Sequence, residues 1–415
     1  MTANEAELVE TPADAITGHS SGADWLARYS SSLMGVFGTP QRVLVRGAGA
    51  LVWDADGKEY LDLLGGIAVN ALGHAHPFVT SVISSQLATL GHVSNFFTSP
   101  TQIALAEKLL SITNAPSGSK VFFANSGTEA NEAAFKLARR NSEAPAGAKS
   151  AKRTKIIALE GAFHGRTMGS LSATPQREKQ EPFEPLVPGF VVVPRDDAAA
   201  LEDAVGHRTA AVFIEPIQGE SGIHPIDPLV LLAAREACDR EGALLVYDEI
   251  QCGTGRTGTM WGFESGGGPL PDVMTVAKGL GGGLPIGACI TSPRYANTLH
   301  AGDHGSTFAG GPVIAAGANA VLDVVADEEF LGDVRTKGDQ LDAGLRALPV
   351  ESVRGRGLMM AFEVADARDV ARRLLLDQRL VVNATGPTTI RLLPPLTVTA
   401  EEIDDALGRV AAVLG

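Results

Sequence analysis

Cysteine is nearly missing from this chain: of 415 residues only Cys238, Cys252 and Cys289 carry a thiol, and no CxxC pair or Cys/His cluster joins them. An odd, dispersed set of thiols argues against a disulfide framework and against a zinc site. Positive charge is scarce too: 34 Lys and Arg face 48 Asp and Glu, giving a formal net charge of −14 and an isoelectric point near 5.1. A general nucleic-acid surface needs clustered cations to neutralise phosphates, so that class is set aside. The apolar runs are strand-sized, and none approaches the ~20 residues that span a bilayer, so no membrane partner is expected. No GxGxxG opens a helix after an N-terminal strand and no GK[ST] P-loop occurs, which disfavours nicotinamide and nucleotide binding. The N-terminus, MTANEAELVETPADAITGHSSGAD, lacks a basic stretch followed by an apolar one and does not read as a signal or transit peptide.

What is present is the composition of a cytoplasmic, globular enzyme: 45% hydrophobic and 20% charged residues. The length exceeds what one core fills and predicts two lobes. Residues 1–22 are expected to be a disordered tail. A short helix is predicted over Ala23 to Met34, followed by VLVRGAGALVWDADGKEYLDL, two β-rich runs joined by an Asp-Ala-Asp-Gly hairpin signal. Residues 23–75 read as the N-terminal part of a small lobe. A helix from Pro77 to Leu90 opens a large domain over 76–325. From Lys120 onward strands and helices alternate, as in βαβ units with a mostly parallel sheet: VFFAN, KIIALEG, FVVVP, AAVFIEPI, ALLVYDE, VMTVAK and ACITS. NSEAPAGAKSAK (141–152) reads as a surface loop. After a long helix from near Gly311, residues 326–415 predict an α+β small domain: a helix from about Asp333, strand LMMAFEV, helix ARDVARRLLLD, strands LVVNA and TIRLLPP, and a last helix. The fold class is therefore α/β, with a large mostly parallel sheet and a smaller α+β lobe.

The chain is organised around the stretch from Ala243 to Ala288. Two apolar runs, Ala243 to Tyr247 and Val273 to Ala277, each stop abruptly at a charge, Asp248 and Lys278. Ligands of open α/β sheets bind beyond the carboxyl ends of strands, so an acid and an amine delivered there face one crevice. The pair suits a cofactor with a basic ring nitrogen and an aldehyde, such as pyridoxal 5′-phosphate: the amine condenses with the aldehyde and the carboxylate keeps the ring protonated.

Other strand ends offer complements. Ser126-Gly127-Thr128-Glu129 opens a helix, either as an ordinary Ser cap box or as a cradle whose free N–H groups hold a phosphate. In Gly161-Ala162-Phe163-His164-Gly165-Arg166, Phe163 either stacks on a ring or packs locally, and Arg166 either grips a carboxylate or is solvated. Glu215 and Glu220 follow another strand, with Glu220 the candidate pocket acid. It needs a cation, and Arg391 in TIRLLPP is the obvious one; by default Arg391 is an edge-strand surface charge. In HGSTFAGGP (304–312), Ser306 and Thr307 either cap the following helix or touch a phosphate.

Taken in order, NSGTEANEAAFKLAR, FHGRTMGSLSAT, EPIQGESG, DEIQCGTGRTG, AKGLGGGLPIGA and GSTFAGGP resemble the class III, ornithine-type aminotransferases of pyridoxal-phosphate fold type I, from about residue 35 to the end. GGIAVNALGHAHP with the RLLPPL ending is most similar to the branch of that family acting on acetylornithine in arginine biosynthesis. The resemblance implies Lys278 as the cofactor-bound lysine and proton shuttle, Asp248 at the ring nitrogen and Gln251 at the ring hydroxyl. It implies Ser126, Gly127 and Thr128 at the phosphate, joined by Ser306 and by Thr307 from a neighbouring subunit, with Phe163 stacked on the ring and His164 beside it. Arg166 is then the carboxylate clamp, and Glu220 pairs with Arg391 until a second carboxylate displaces it. Acetylornithine and 2-oxoglutarate are the implied substrates, and a homodimer with shared active sites the implied assembly. Relatives acting on free ornithine carry Tyr where this chain has Ile67, so Ile67 is an implied substrate contact that disfavours ornithine. The chain departs from the usual pattern at Phe37, where Tyr is usual, and at Cys252, where Thr is common.

Overall fold

The computed structural model of the chain describes residues 20–141 and 152–415. Nearly all of the expected N-terminal tail and of the 141–152 loop lies outside the described residues. A seven-stranded sheet runs in the order Lys120–Ala124, Gly287–Thr291, Val273–Val276, Leu244–Asp248, Thr209–Ile214, Lys155–Leu159, Phe190–Val193. Every neighbouring pair is parallel except those made by Gly287–Thr291, which is antiparallel to both of its neighbours. The central strands Thr209–Ile214 and Leu244–Asp248 are buried at every position. That is why they read as continuous apolar runs rather than alternating ones: helices cover both faces of such a sheet.

Helix starts and stops follow local chemistry. Pro228–Glu241 begins with Asp227, whose carboxylate accepts the Leu229 N–H, has Pro at its first position, and stops at Gly242 with φ 68°. Glu328–Arg346 starts before the expected Asp333, because Asp327 caps it by accepting the Phe330 N–H and Glu328 and Glu329 fill its first turn. Helix Pro100–Ile112, capped by Ser99, was not in the sequence reading.

Two four-stranded sheets and a two-stranded one, Ile217–Gln218 with His224–Pro225, accompany the large one. Leu44–Ala48, Leu51–Asp54 and Glu59–Asp62 form antiparallel neighbours, so the first β-rich run splits in two at Gly49, while the Asp-Ala-Asp-Gly turn joins the later pair as expected. Leu380–Val381 adds to Glu59–Asp62 in parallel. The expected single strand LVVNA therefore breaks: Asn383–Ala384 leaves that sheet and pairs with Thr389–Leu392 in another, of order Val353–Arg356, Met359–Glu363, Thr389–Leu392, Asn383–Ala384. The chain crosses from one sheet to the next within that run. Thr389–Leu392 lies inside its sheet and Arg391 is 0% exposed, so the edge-strand default for Arg391 is overturned.

Between the first small sheet and the site, Gly65, Gly66, Ile67 and Ala68 all have positive φ (55°, 65°, 65° and 61°), a turn of left-handed helix. Each non-glycine residue there costs roughly 1–2 kcal/mol in backbone strain. Asp62 anchors the turn by accepting the Leu64 and Gly65 N–H groups, and Gly65 is forced because a Cβ would stand 2.8 Å from the Leu393 carbonyl oxygen.

Candidate active site

The strands Leu244–Asp248 and Val273–Val276 lie side by side with Asp248 opposite Thr275, so Asp248 and Lys278 emerge from one edge of the sheet. They line one cavity of about 470 Å³, a size suited to a small-molecule site. Its walls also carry Ser126, Gly127, Thr128, Phe163, His164, Arg166, Glu215 and Gln251. Residues far apart in sequence thus meet because each terminates or follows a strand of the same sheet.

Asp248 is 3% exposed and fully engaged: Oδ2 lies 2.8 Å from His164 Nδ1 and accepts from Asn131 Nδ2 at 2.8 Å, while Oδ1 accepts the Ile250 N–H at 3.1 Å. Asn131 was missed in the sequence. It sits on the buried face of Gly127–Asn141, also donates to the His164 carbonyl at 2.8 Å, and accepts from the Thr275 hydroxyl. Its signal was an amide among the alanines of that face. Burial works against charge on His164, but the bond to Asp248 and the charges of Asp248 and Glu215 outweigh it and raise its pKa. Lys278 moves the other way: burial of the amine, together with Arg391, lowers its pKa despite the opposing pull of Glu220, Asp248 and Glu215. A lysine so placed is more readily neutral, which is the nucleophilic form. Lys278 itself has φ 43°, held by the tight turn Lys278–Gly281.

At the helix start, Ser126 Oγ accepts the Glu129 N–H at 3.3 Å, but the Glu129 carboxylate reaches past Ser126 to the Asn125 N–H, so Ser126 caps the helix without the reciprocal bond of a cap box. Gly127 and Thr128 nonetheless line the cavity, and the first N–H groups of a helix have no partner within it. Gly165 is compulsory: φ is 130° and a Cβ would stand 2.3 Å from Thr128 Oγ1. The loop therefore lies directly on the helix start. Phe163 presents its ring to the cavity, with Arg166 Cζ 5.6 Å from the ring centre.

Beside the cavity stands an ionic cluster, joined to its lining by Gln251; Glu220 and Arg391 themselves do not line the cavity. Arg391 NH1 reaches Glu220 Oε1 at 2.7 Å, the Gly219 carbonyl at 3.1 Å and Gln251 Oε1 at 3.0 Å. Gln251 also donates to Glu220 at 3.0 Å, so both ends of its amide belong to this cluster. Burial opposes the Glu220 charge, yet Arg391 and Lys278 hold its pKa down at about 2.

Several expected residues lie elsewhere. Ser306 and Thr307 do not cap the next helix, whose N-cap is Gly311 with no side-chain bond. Ser306 accepts from Asn125 Nδ2 at 2.7 Å and faces a second cavity with Asn95 and Phe123, while Thr307 is exposed; neither lines the Lys278 cavity within one chain. Ile67 packs on the apolar cluster of Ile217, Cys252 and Met359, and it is Val69 that lines the cavity. The Cys252 thiol points to Glu249 Oε2 at 3.2 Å. Phe37 is 92% exposed.

Comparison with known proteins agrees with this geometry. The family model Aminotransferase class-III matches residues 37–414. The chain is similar to an acetylornithine aminotransferase of Streptomyces coelicolor, 46% identical over 95% of this chain and 96% of the relative. A second, from Mycolicibacterium smegmatis, is 48% identical over 94% of this chain and 97% of its own. Among solved structures, an ornithine aminotransferase from Toxoplasma gondii superposes with a TM-score of 0.90 at 31% identity, covering 98% of both chains. An N-acetylornithine aminotransferase from Stenotrophomonas maltophilia gives 0.79 at 34%, covering 94% of this chain and 98% of its own.

Proposed function

The chain belongs to the class-III aminotransferase family, and on that premise we propose that it moves the terminal amino group of N2-acetyl-L-ornithine to 2-oxoglutarate, giving N-acetyl-L-glutamate 5-semialdehyde and L-glutamate in arginine biosynthesis. The observation that carries this reading is the joining of Lys278 and Asp248 in one cavity, with the Glu220 to Arg391 pair beside them.

The residues present fit pyridoxal 5′-phosphate. The cavity holds a buried carboxylate for a ring nitrogen, an amine of lowered pKa, a helix start for a phosphate and an aromatic face, all on one sheet edge. When bound, the cofactor supplies an aldehyde that condenses with amines and a protonated ring that draws electrons from the neighbouring carbon. Asp248, fixed by Asn131 and His164, holds the proton at the ring nitrogen. With the cofactor bound, Lys278 would be the group that takes the proton from the carbon bearing the reacting amine and returns it to the carbon on the other side of that nitrogen.

Two donors of different shape must be accommodated in turn. Acetylornithine reacts at its distal amine, so its carboxylate lies far from the reacting carbon and suits Arg166 on the cavity wall. Glutamate reacts at its α-amine and brings a second carboxylate close. Glu220 neutralises Arg391 for the first donor and yields it to the extra carboxylate of the second. A donor panel run with 2-oxoglutarate checks the assignment, with acetylornithine expected to be the best donor. A better rate with succinylornithine, succinyldiaminopimelate or 4-aminobutyrate would sink it.

The working unit in this reading is a cytoplasmic homodimer. Thr307 is exposed, and Phe96, Phe97 and Phe308 are exposed at 94%, 72% and 65% of their surface, an apolar face that a second copy would cover while bringing its own Thr307 to the phosphate. Sedimentation of the protein is expected to show twice the chain mass; a monomer of full activity contradicts the shared site.

A further inference from the structure

One buried acid in the cavity wall has no part in the chemistry described so far. Glu215 closes the strand Thr209–Ile214, is 5% exposed and lines the cavity. Its Oε2 accepts the Phe163 N–H at 2.8 Å and its Oε1 accepts the Gly219 N–H at 3.4 Å. The segment Phe163–His164 is thereby held at four points. Glu215 takes the Phe163 N–H, Thr174 Oγ1 takes the His164 N–H at 2.9 Å, Asn131 donates to the His164 carbonyl, and Asp248 binds the imidazole.

Two of those four tethers are ionisable: Glu215 at the Phe163 N–H and Asp248 at the His164 imidazole. On the far side of Glu215, Gly219 is closely boxed in. A Cβ there would stand 1.9 Å from Gln251 Oε1, and its carbonyl accepts from Arg391. Glu215 thus links the loop that carries the aromatic face to the residue preceding Glu220. The charged groups acting on it or responding to it come from three elements: His164 after Lys155–Leu159, Asp248 at the end of Leu244–Asp248, and Lys278 after Val273–Val276.

We propose that Glu215 is a positioning residue for the cofactor site, which fixes the Phe163–His164 segment by its backbone while Asp248 holds the imidazole, and places a second negative charge beside His164 and Lys278. This rests on the pyridoxal-phosphate reading above. Burial, the largest influence, raises the Glu215 carboxyl to about 7, with His164 and the two N–H groups pulling against it. The charge is therefore in place on the alkaline side of neutrality, where it favours a proton on the nitrogen of Lys278.

The test follows the visible absorbance of the holoenzyme against pH and the rate at which pyridoxal phosphate is lost on dialysis. In Glu215→Gln the alkaline midpoint of the absorbance falls by about half to one pH unit, because removing a nearby negative charge makes the proton easier to lose. Cofactor loss becomes about three- to tenfold faster as a bond to a charged acceptor is replaced by a weaker one. Glu215→Asp keeps the charge but shortens the reach, so its midpoint stays while cofactor loss quickens. Thr174→Val removes an uncharged tether of the same segment and is expected to quicken loss with no change of midpoint. A Glu215→Gln midpoint equal to wild type, or a Thr174→Val midpoint displaced as far, overturns the proposal. Wild-type protein that binds no pyridoxal phosphate defeats the functional reading instead, and the two failures are told apart by that control.

Discussion

The site has two walls built on different terms, the cavity lining at Asp248 and the ionic cluster that Gln251 joins to it. On the deep wall Asp248 is 3% exposed and held by neutral donors and an imidazole, in a bed of strands whose every residue is buried. On the outer wall Glu220 keeps 25% of its side chain exposed, pairs with Arg391 and accepts from Gln251, while Arg166 is exposed. A carboxylate buried among partners fixed in the protein interior stays in place. One partly exposed and held chiefly by a cation can be exchanged for another anion of the same kind. The deep wall is thus fitted for chemistry common to every substrate, and the outer wall for telling substrates apart.

That contrast is tested first at Lys278. Lys278→Ala is expected to lower kcat by at least about 10³-fold with either donor, the scale of a lost proton-transfer group. Asp248→Asn should follow, with a loss of about 10²-fold or more that is again equal for acetylornithine and glutamate; half-reactions monitored separately by stopped-flow absorbance give both numbers. Glu220→Gln is the crossing point, because it leaves Arg391 without its anion. The ratio of the two half-reaction rates should shift about tenfold toward glutamate. An equal change for both donors would erase the distinction between the walls. Arg166→Lys has a smaller expected effect, a rise of about three- to tenfold in KM for acetylornithine with kcat little changed, since a bidentate fork becomes a point charge.

The smallest effect is thermal. The folded-state pKa of Glu220 lies near 2, below its ordinary value, so its pairing stabilises the protein above the ordinary carboxylate range and that contribution is lost as pH falls toward 2. Tm measured between about pH 5 and 3 should therefore fall more steeply in wild type than in Glu220→Gln, whose neutral side chain has no such contribution to lose. Parallel curves would mean that the pair adds nothing to folding.

The deep wall was the easier one to read from sequence. An apolar run that halts at Asp248 or Lys278 announces a strand end, and parallel sheets gather strand ends on one edge. Asn131 escaped because helix periodicity marks which face is buried and says nothing of what a buried amide will meet. Of the two acids in EPIQGE, Glu220 read as the pocket acid; the fold instead sets Glu215 in the cavity lining, bound to backbone N–H groups, and turns Glu220 to the buried Arg391. Arg391 itself was readable as a partner but not as an interior residue, because sheet order is decided by strands far away in the chain. The left-handed turn at Ile67 and Ala68 was not readable at all, since neither residue favours positive φ and only the packing of Gly65 against Leu393 imposes it.

The single reversed strand, Gly287–Thr291, has a mechanical consequence for Lys278. Two parallel neighbours would have needed a long crossover between them, usually a helix, leaving the lysine at the mouth of a long excursion. Because this neighbour runs backward, the chain returns within residues 277–286, through Gly282 and Gly283, and Lys278 stands just past the last rung, Val276 to Ala288. Lys278 is on a short leash: its backbone sits in the tight turn Lys278–Gly281 between two neighbouring strands, and the travel needed to carry a proton between the two carbons that flank the reacting nitrogen falls to its own four-carbon arm.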